Sequence, residues 1–215
     1  MSKAVSGNAG VWSNLGIVLW AVYGVLAEEG QLLRAGLICF ALAAGIIAMQ
    51  YRRGAVKTMD CTSLVYFGGV VLVVLAGGAR FITHYHLLMV WGIFAAVAWA
   101  TLILGFPFTL QYARERAPHE VWETPVFQHM NVRMTQVWAI IFTACATLGA
   151  ISLDVGHTLM LGLIVPGIAM MFGFIFSRRY PKRFAAQFAA EIGGKTTTLS
   201  SRAEHVCLSE AARRL

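Results

Sequence analysis

The chain is 215 residues long, 58% hydrophobic and only 13% charged, with a mean hydropathy of +0.68. Soluble domains carry roughly 25% charged residues, so the composition excludes an ordinary water-soluble fold. The net charge of +7 comes without a basic and aromatic recognition module, which sets nucleic acid aside as a partner.

Apolar runs near 11–27, 32–50, 63–82, 87–106, 135–153 and 157–177 each approach the roughly 20 residues that cross about 30 Å of hydrocarbon. They lack the strict alternation of a lipid-facing strand. The expected fold is all-α: a polytopic transmembrane bundle of six spans over residues 1–183, with an amphipathic, basic tail over 184–215. With the N-terminus in the cytoplasm, every Lys and Arg except Arg34 and Arg80 falls on the cytoplasmic side, the bias that sets topology. Both termini are therefore expected inside, in a bacterial inner membrane with the lipid bilayer as first partner. Val25, Leu26 and Ala27 before Glu28 suit a signal peptidase. The run nevertheless holds Trp12, Trp20 and Tyr23 and exceeds the usual apolar core of about 7–15 residues, so the first helix is expected to stay.

Along the chain, Gln50-Tyr51-Arg52-Arg53, Gln111-Tyr112-Ala113-Arg114 and Ser177-Arg178-Arg179-Tyr180 form a faint repeat. Interfacial aromatics and the positive-inside bias account for it. Ala41 and Gly45 in the second helix, and Gly92, Ala96 and Ala100 in the fourth, predict close helix contacts or a homo-oligomer face. No Asp, Glu or Lys lies near the middle of a span, where ion-coupled pumps place them. A facilitator lined by Thr101, Gln136, Thr143 and Thr147 remains open. The cysteines Cys39, Cys61, Cys145 and Cys207 form no CxxC pair and no disulfide framework.

On the outer side Glu28, Glu29, His84, His86, Asp154 and His157 emerge at helix ends. His84, His86, Asp154 and His157 are the candidate ligands for a metal or haem, although polar residues belong in turns regardless and no cofactor is predicted. Arg80 is a candidate anion site whose structural alternative is snorkelling or pairing with a carboxylate.

Between the fourth and fifth helices lies a polar island, residues 106–136. Pro107 predicts the exit from the fourth helix, with Thr109 capping a short helix to Arg116. Thr124-Pro125 predicts the cap and first turn of the next helix. Phe127, Met130, Met134 and Trp138 mark its apolar side, and Gln128, Asn131 and Thr135 another. The island's Arg114, Glu115, Arg116, Glu120, Glu123 and Arg133 sum to zero, which predicts mutual pairing. Glu120 and Glu123 read as solvated carboxylates rather than an acid and base pair, and no nucleophile elbow, metalloprotease or kinase signature is present. Arg114, Glu115, Trp122 and Asn131 are the candidate inner-face functional residues.

Gly105, Pro107, Phe108, Thr109, Gln111, Tyr112, Ala113, Arg114 and Glu115, followed by Trp122, Thr124, Pro125, Phe127, Asn131, Thr135 and Trp138, give the island its resemblance. It is similar to a group of bacterial multi-pass membrane proteins that look loosely like the intracellular-septation proteins. The resemblance implies a membrane fold and carries over no activity. After it, Phe184, Phe188 and Ile192 predict an amphipathic helix ended by Gly193-Gly194. Ser201 and Glu204 suggest a capping box, and Gly194-Lys195-Thr196 lacks the first glycine and the strand of a phosphate loop.

Three functions follow as expectations: a small-solute permease or facilitator, an envelope or division-associated accessory scaffold docking a membrane-protein partner, and a membrane redox protein using the outer histidines.

Overall fold

The computed structural model describes residues 15–28, 31–54, 56–115, 117–155 and 160–184. These residues form helices and no strand. The order is α1 (Leu15–Glu28), α2 (Leu32–Arg52), α3 (Thr58–Leu75), α4 (Ala79–Ile103), short α5 (Phe108–Arg114), a single 3-10 turn (His119–Val121) and α6 (Pro125–Val155). A π turn, Met160–Ile164, then leads into α7, residues 165–184. Pro166 has no N–H to give the carbonyl one turn back, and the wider π turn falls where that bond is missing.

Among the described residues five helices are long and apolar enough to cross a membrane: α2, α3, α4, α6 and the stretch Met160–Phe184. Helix α1 is described over 14 residues, about 21 Å of rise. The proposed cap at Ser201, the glycine pair at 193–194, His157 and Arg116 lie outside the described residues. Two compact units divide the chain, Met1–Gly173 and Phe174–Leu215. In the second, Phe176, Tyr180 and Phe184 stack at four-residue spacing, with ring centroids 4.8 and 5.7 Å apart.

Three helices stop on glycine. Gly54, Gly77 and Gly105 follow α2, α3 and α4 with φ of 70°, 86° and 76°, the left-handed conformation that a Cβ disfavours. After α4, Phe106 N–H bonds to Thr101 C=O (2.9 Å) and Gly105 N–H to Leu102 C=O (3.1 Å), a Schellman closure. The exit from α4 is thus made by Gly105 before Pro107 is reached.

The first unit has two cores. One gathers Leu19 and Tyr23 of α1, Ala35, Cys39 and Ala43 of α2, Tyr66, Phe67 and Val70 of α3, and Ile82 of α4. Trp20 sits among its rings and donates Nε1–H to Ser63 Oγ at 3.0 Å. The other joins Met59, Ala95, Ala98, Phe108, Trp138, Ala139 and Phe142. The broadest helix contact is α4 on α6, where a Cβ on Gly149 would stand 3.0 Å from Leu88 N.

Of the two uses expected for the small-residue stripes, a helix contact within the chain is not made among the described residues. Ala41, Gly45, Ala96 and Ala100 are exposed, and a Cβ on Gly45 or Gly92 would meet nothing within 4 Å. The contact faces are instead Ala35, Gly36, Cys39 and Ala43 on α2 and Ala95 and Ala98 on α4. On α2, Gly36 lets α3 approach closely: a Cβ there would stand 3.0 Å from Val71 Cγ2.

Candidate functional site

Helix α3 begins at Thr58, and the first N–H groups of any helix have no partner within it. Here two glutamines from other helices supply acceptors. Gln50, at the foot of α2, accepts from Lys57 N–H through Oε1 (3.1 Å) and donates through Nε2 to Asp60 Oδ2. Gln111 of α5 accepts from Thr58 N–H (2.8 Å) and donates to Thr58 Oγ1 (2.7 Å). Each amide therefore uses both its ends on one helix start, Gln50 on Lys57 and Asp60 and Gln111 on Thr58 alone. In a capping box the residue at Asp60's position would reach back to the Lys57 N–H itself; Gln50 stands between them.

Lys57 is 4% exposed. Its Nζ lies 2.9 Å from Glu115 Oε1 and 3.0 Å from Oε2, and 4.8 Å from the centre of the Tyr112 ring. An ammonium so deeply placed is retained only with a carboxylate and further polar contacts around it. Burial, and then the charges of Asp60 and Glu115, hold the Tyr112 phenol above its ordinary range, so it stays neutral beside the lysine. On α5, Gln111, Tyr112 and Glu115 share a helical face, which turns all three toward α3.

The other side of α5 meets α6. Thr109 Oγ1 lies 2.9 Å from Asn131 C=O and 2.8 Å from Thr135 Oγ1. Asn131 and Thr135 are fully buried, on the inner face with Phe127 and Trp138 rather than on a polar side of their own. The reason is Thr109, which brings a hydroxyl to them. It therefore does not cap α5, whose cap position is Pro107. Asn131 Nδ2–H donates to Phe127 C=O at 2.8 Å, and its Oδ1 is buried with no partner among the described residues. The α6 start is the expected one: Phe127 N–H donates to Thr124 Oγ1 at 3.3 Å, with Pro125 first in the helix.

The predicted inner-face residues divide into three places. Glu115 joins Lys57, and Asn131 joins Thr109. Arg114 stacks over Trp122 (5.3 Å) and pairs with exposed Glu123 at 3.6 Å, while Trp122 Nε1–H donates to Ala117 C=O. The island's charges thus do not pair only among themselves, because Glu115 reaches outside it; Glu120 is exposed. Gln50, Lys57, Thr58, Asp60 and Gln111 were missed as site residues. Their one signal was the repeated Gln-Tyr pair, since both of its glutamines end on the same helix start. The following tyrosines differ: Tyr51 is exposed and Tyr112 lies under Lys57.

At the other end, His84 is exposed against Tyr85, His86 Nδ1 lies 2.8 Å from Thr83 C=O, and Arg80 and Asp154 are exposed. Among the described residues no three His, Cys, Asp or Glu side chains gather as a metal site. Thr101, Thr143 and Thr147 each bond to a carbonyl of their own helix, and Gln136 accepts from Arg133. No family model, curated protein or solved structure matches the chain.

Proposed function

We propose that the protein is a small-solute permease or facilitator of the bacterial inner membrane, with six spans and both termini in the cytoplasm, whose cytoplasmic mouth is gated by α5. The observation that carries this reading is the Lys57–Glu115 pair. A buried charge at the end of a span marks a functional site by default, and its partner here is the C-cap residue of a seven-residue helix that is not itself a span. Helix α5 is held on one side through Lys57 and Thr58 and on the other through Asn131 and Thr135. In this reading the short helix pivots on its buried Phe108 between two arrangements, one with these polar contacts held and one with them released. Arg52, Arg53, Lys57, Arg114 and Arg133 all lie toward this end, which supports its assignment to the cytoplasm.

Flux in liposomes tests the reading. Reconstituted protein should raise the permeability of at least one member of a panel of small neutral, anionic and cationic solutes. Glu115→Gln should change that flux several-fold. Permeability equal to empty liposomes across the panel would remove the transporter reading.

One observation favours the scaffold as the second reading. Tyr51, Ile103, Leu104 and Phe106 are 78%, 83%, 69% and 73% exposed around the same end, a large apolar presence beside the turn into α5. Crosslinking from Phe106 in native membranes that recovers a defined membrane-protein partner would favour it over transport.

A further inference from the structure

Three ionisable groups meet where α2, α3 and α5 join, and only two of them are paired. Lys57 and Glu115 form the ion pair. Asp60, one turn into α3, is half-buried and bonded to Gln50, whose other end holds the Lys57 N–H, so the carboxylate stands beside the ion pair. The other titratable groups facing it are Tyr112 of α5 and its own neighbour Cys61; Arg52 and Arg53, at the foot of α2, are exposed. With both carboxylates ionised the cluster carries one uncompensated negative charge in a poorly hydrated place, which repels Glu115 and with it α5. A proton on Asp60 removes that charge.

We infer that Asp60 is a proton-binding site that regulates the α5 gate. When Asp60 holds a proton taken from water, Lys57 has Glu115 as its anionic partner and α5 is latched. When the proton returns to water, a second carboxylate is charged beside the Lys57–Glu115 pair, Glu115 and Asp60 repel, and the latch loosens. Gln50 suits this role, because its Nε2–H can donate to the carboxylate and equally to the carbonyl oxygen of the carboxylic acid, while its Oε1 keeps the Lys57 N–H. Acidification closes the gate and alkalinisation opens it.

This inference rests on the gating reading above, but its test does not use flux. Amide hydrogen exchange of residues 108–115 is followed in the full-length protein from pD 5 to 9, with 135–150 of the same sample reporting any general unfolding. In the wild type, exchange at 108–115, corrected for the intrinsic rate, should rise with pD. At matched pD in the alkaline range it should exceed that of Asp60→Asn, which fixes the neutral form, by roughly fivefold, the factor that corresponds to the upper value of an exposed ion pair. Near pD 5 the two should converge. Glu115→Gln should exchange fast at every pD. A wild-type profile that does not change with pD, or a Glu115→Gln protein protected like the wild type, overturns the inference, and the wild-type profile needs no variant to fold. A pD-dependent latch in a protein without flux would keep this inference and remove the transporter; flux with a flat profile would do the reverse.

Discussion

Replacing Glu115 by Leu leaves the Lys57 ammonium in place with its counter-charge gone. For a fully buried pair such a loss costs about 3–5 kcal/mol, and for an exposed pair about 0–1 kcal/mol. The two partners here sit on either side of that division, with side chains 5% and 28% exposed. The Tyr112 ring, 4.8 Å from Nζ, keeps about 1 kcal/mol of cation–π attraction when the carboxylate is removed. Glu115→Leu should therefore cost about 2 kcal/mol. Lys57→Met leaves a carboxylate that water can reach and should cost about 1 kcal/mol. The double variant buries no charge and should lie within about 1 kcal/mol of the wild type, giving a coupling of about 2–4 kcal/mol. The assay is reversible unfolding in mixed micelles at fixed detergent composition, followed by helical circular dichroism. A coupling below about 0.5 kcal/mol would refute the claim that this ion pair holds α5 to α3.

Asn131→Leu removes a buried carbonyl that has no donor, so it should be neutral or stabilising by up to about 1 kcal/mol, whereas Asn131→Ala should destabilise by about 1–2 kcal/mol through lost packing; equal losses in melting would mean that Oδ1 is bonded in solution. Gly149→Ala should cost about 1–3 kcal/mol, because the groups in its way are the backbone of Leu87 and Leu88, while Gly45→Ala, with open space around it, should be neutral within about 0.5 kcal/mol in the same assay. Gln111→Leu leaves the Thr58 N–H without its acceptor and should cost about 1 kcal/mol, read as faster amide exchange at residues 58–60.

The helical class was legible in the apolar runs because a bilayer demands about 20 such residues per crossing, but the bounds were not: among the described residues five long apolar helices stand where six were expected, and the run 63–82 spans the turn between the end of α3 at Leu75 and the start of α4 at Ala79. The choice of face was not legible. Lipid is as apolar as a leucine side chain, so hydropathy does not distinguish the buried Ala95 and Ala98 from the exposed Ala96 and Ala100; the rings they must accommodate decide it. The Thr124-Pro125 start was readable because its partner is three residues away. Lys57, by contrast, was counted as one more basic residue of a loop. Its partner lies 58 positions along the chain, and only folding brings Glu115 to it. Asn131 was singled out as an amide at a boundary, but the hydroxyl that turns it inward, Thr109, had a plausible local use as a cap.

The two-glutamine clamp on α3 has a consequence for synthesis. Gln50 precedes the N–H group it serves and is already present when α3 emerges. Gln111 follows Thr58 by 53 residues, which at the ribosome's roughly 5–20 residues per second is a delay of about 3 to 10 s. During that interval the α2–α3 hairpin has one N–H at its foot served by the chain and the next served by water. Its start therefore stays hydrated until α5 arrives, and an interruption of translation between residues 58 and 111 would leave a hairpin whose last seal is still unwritten.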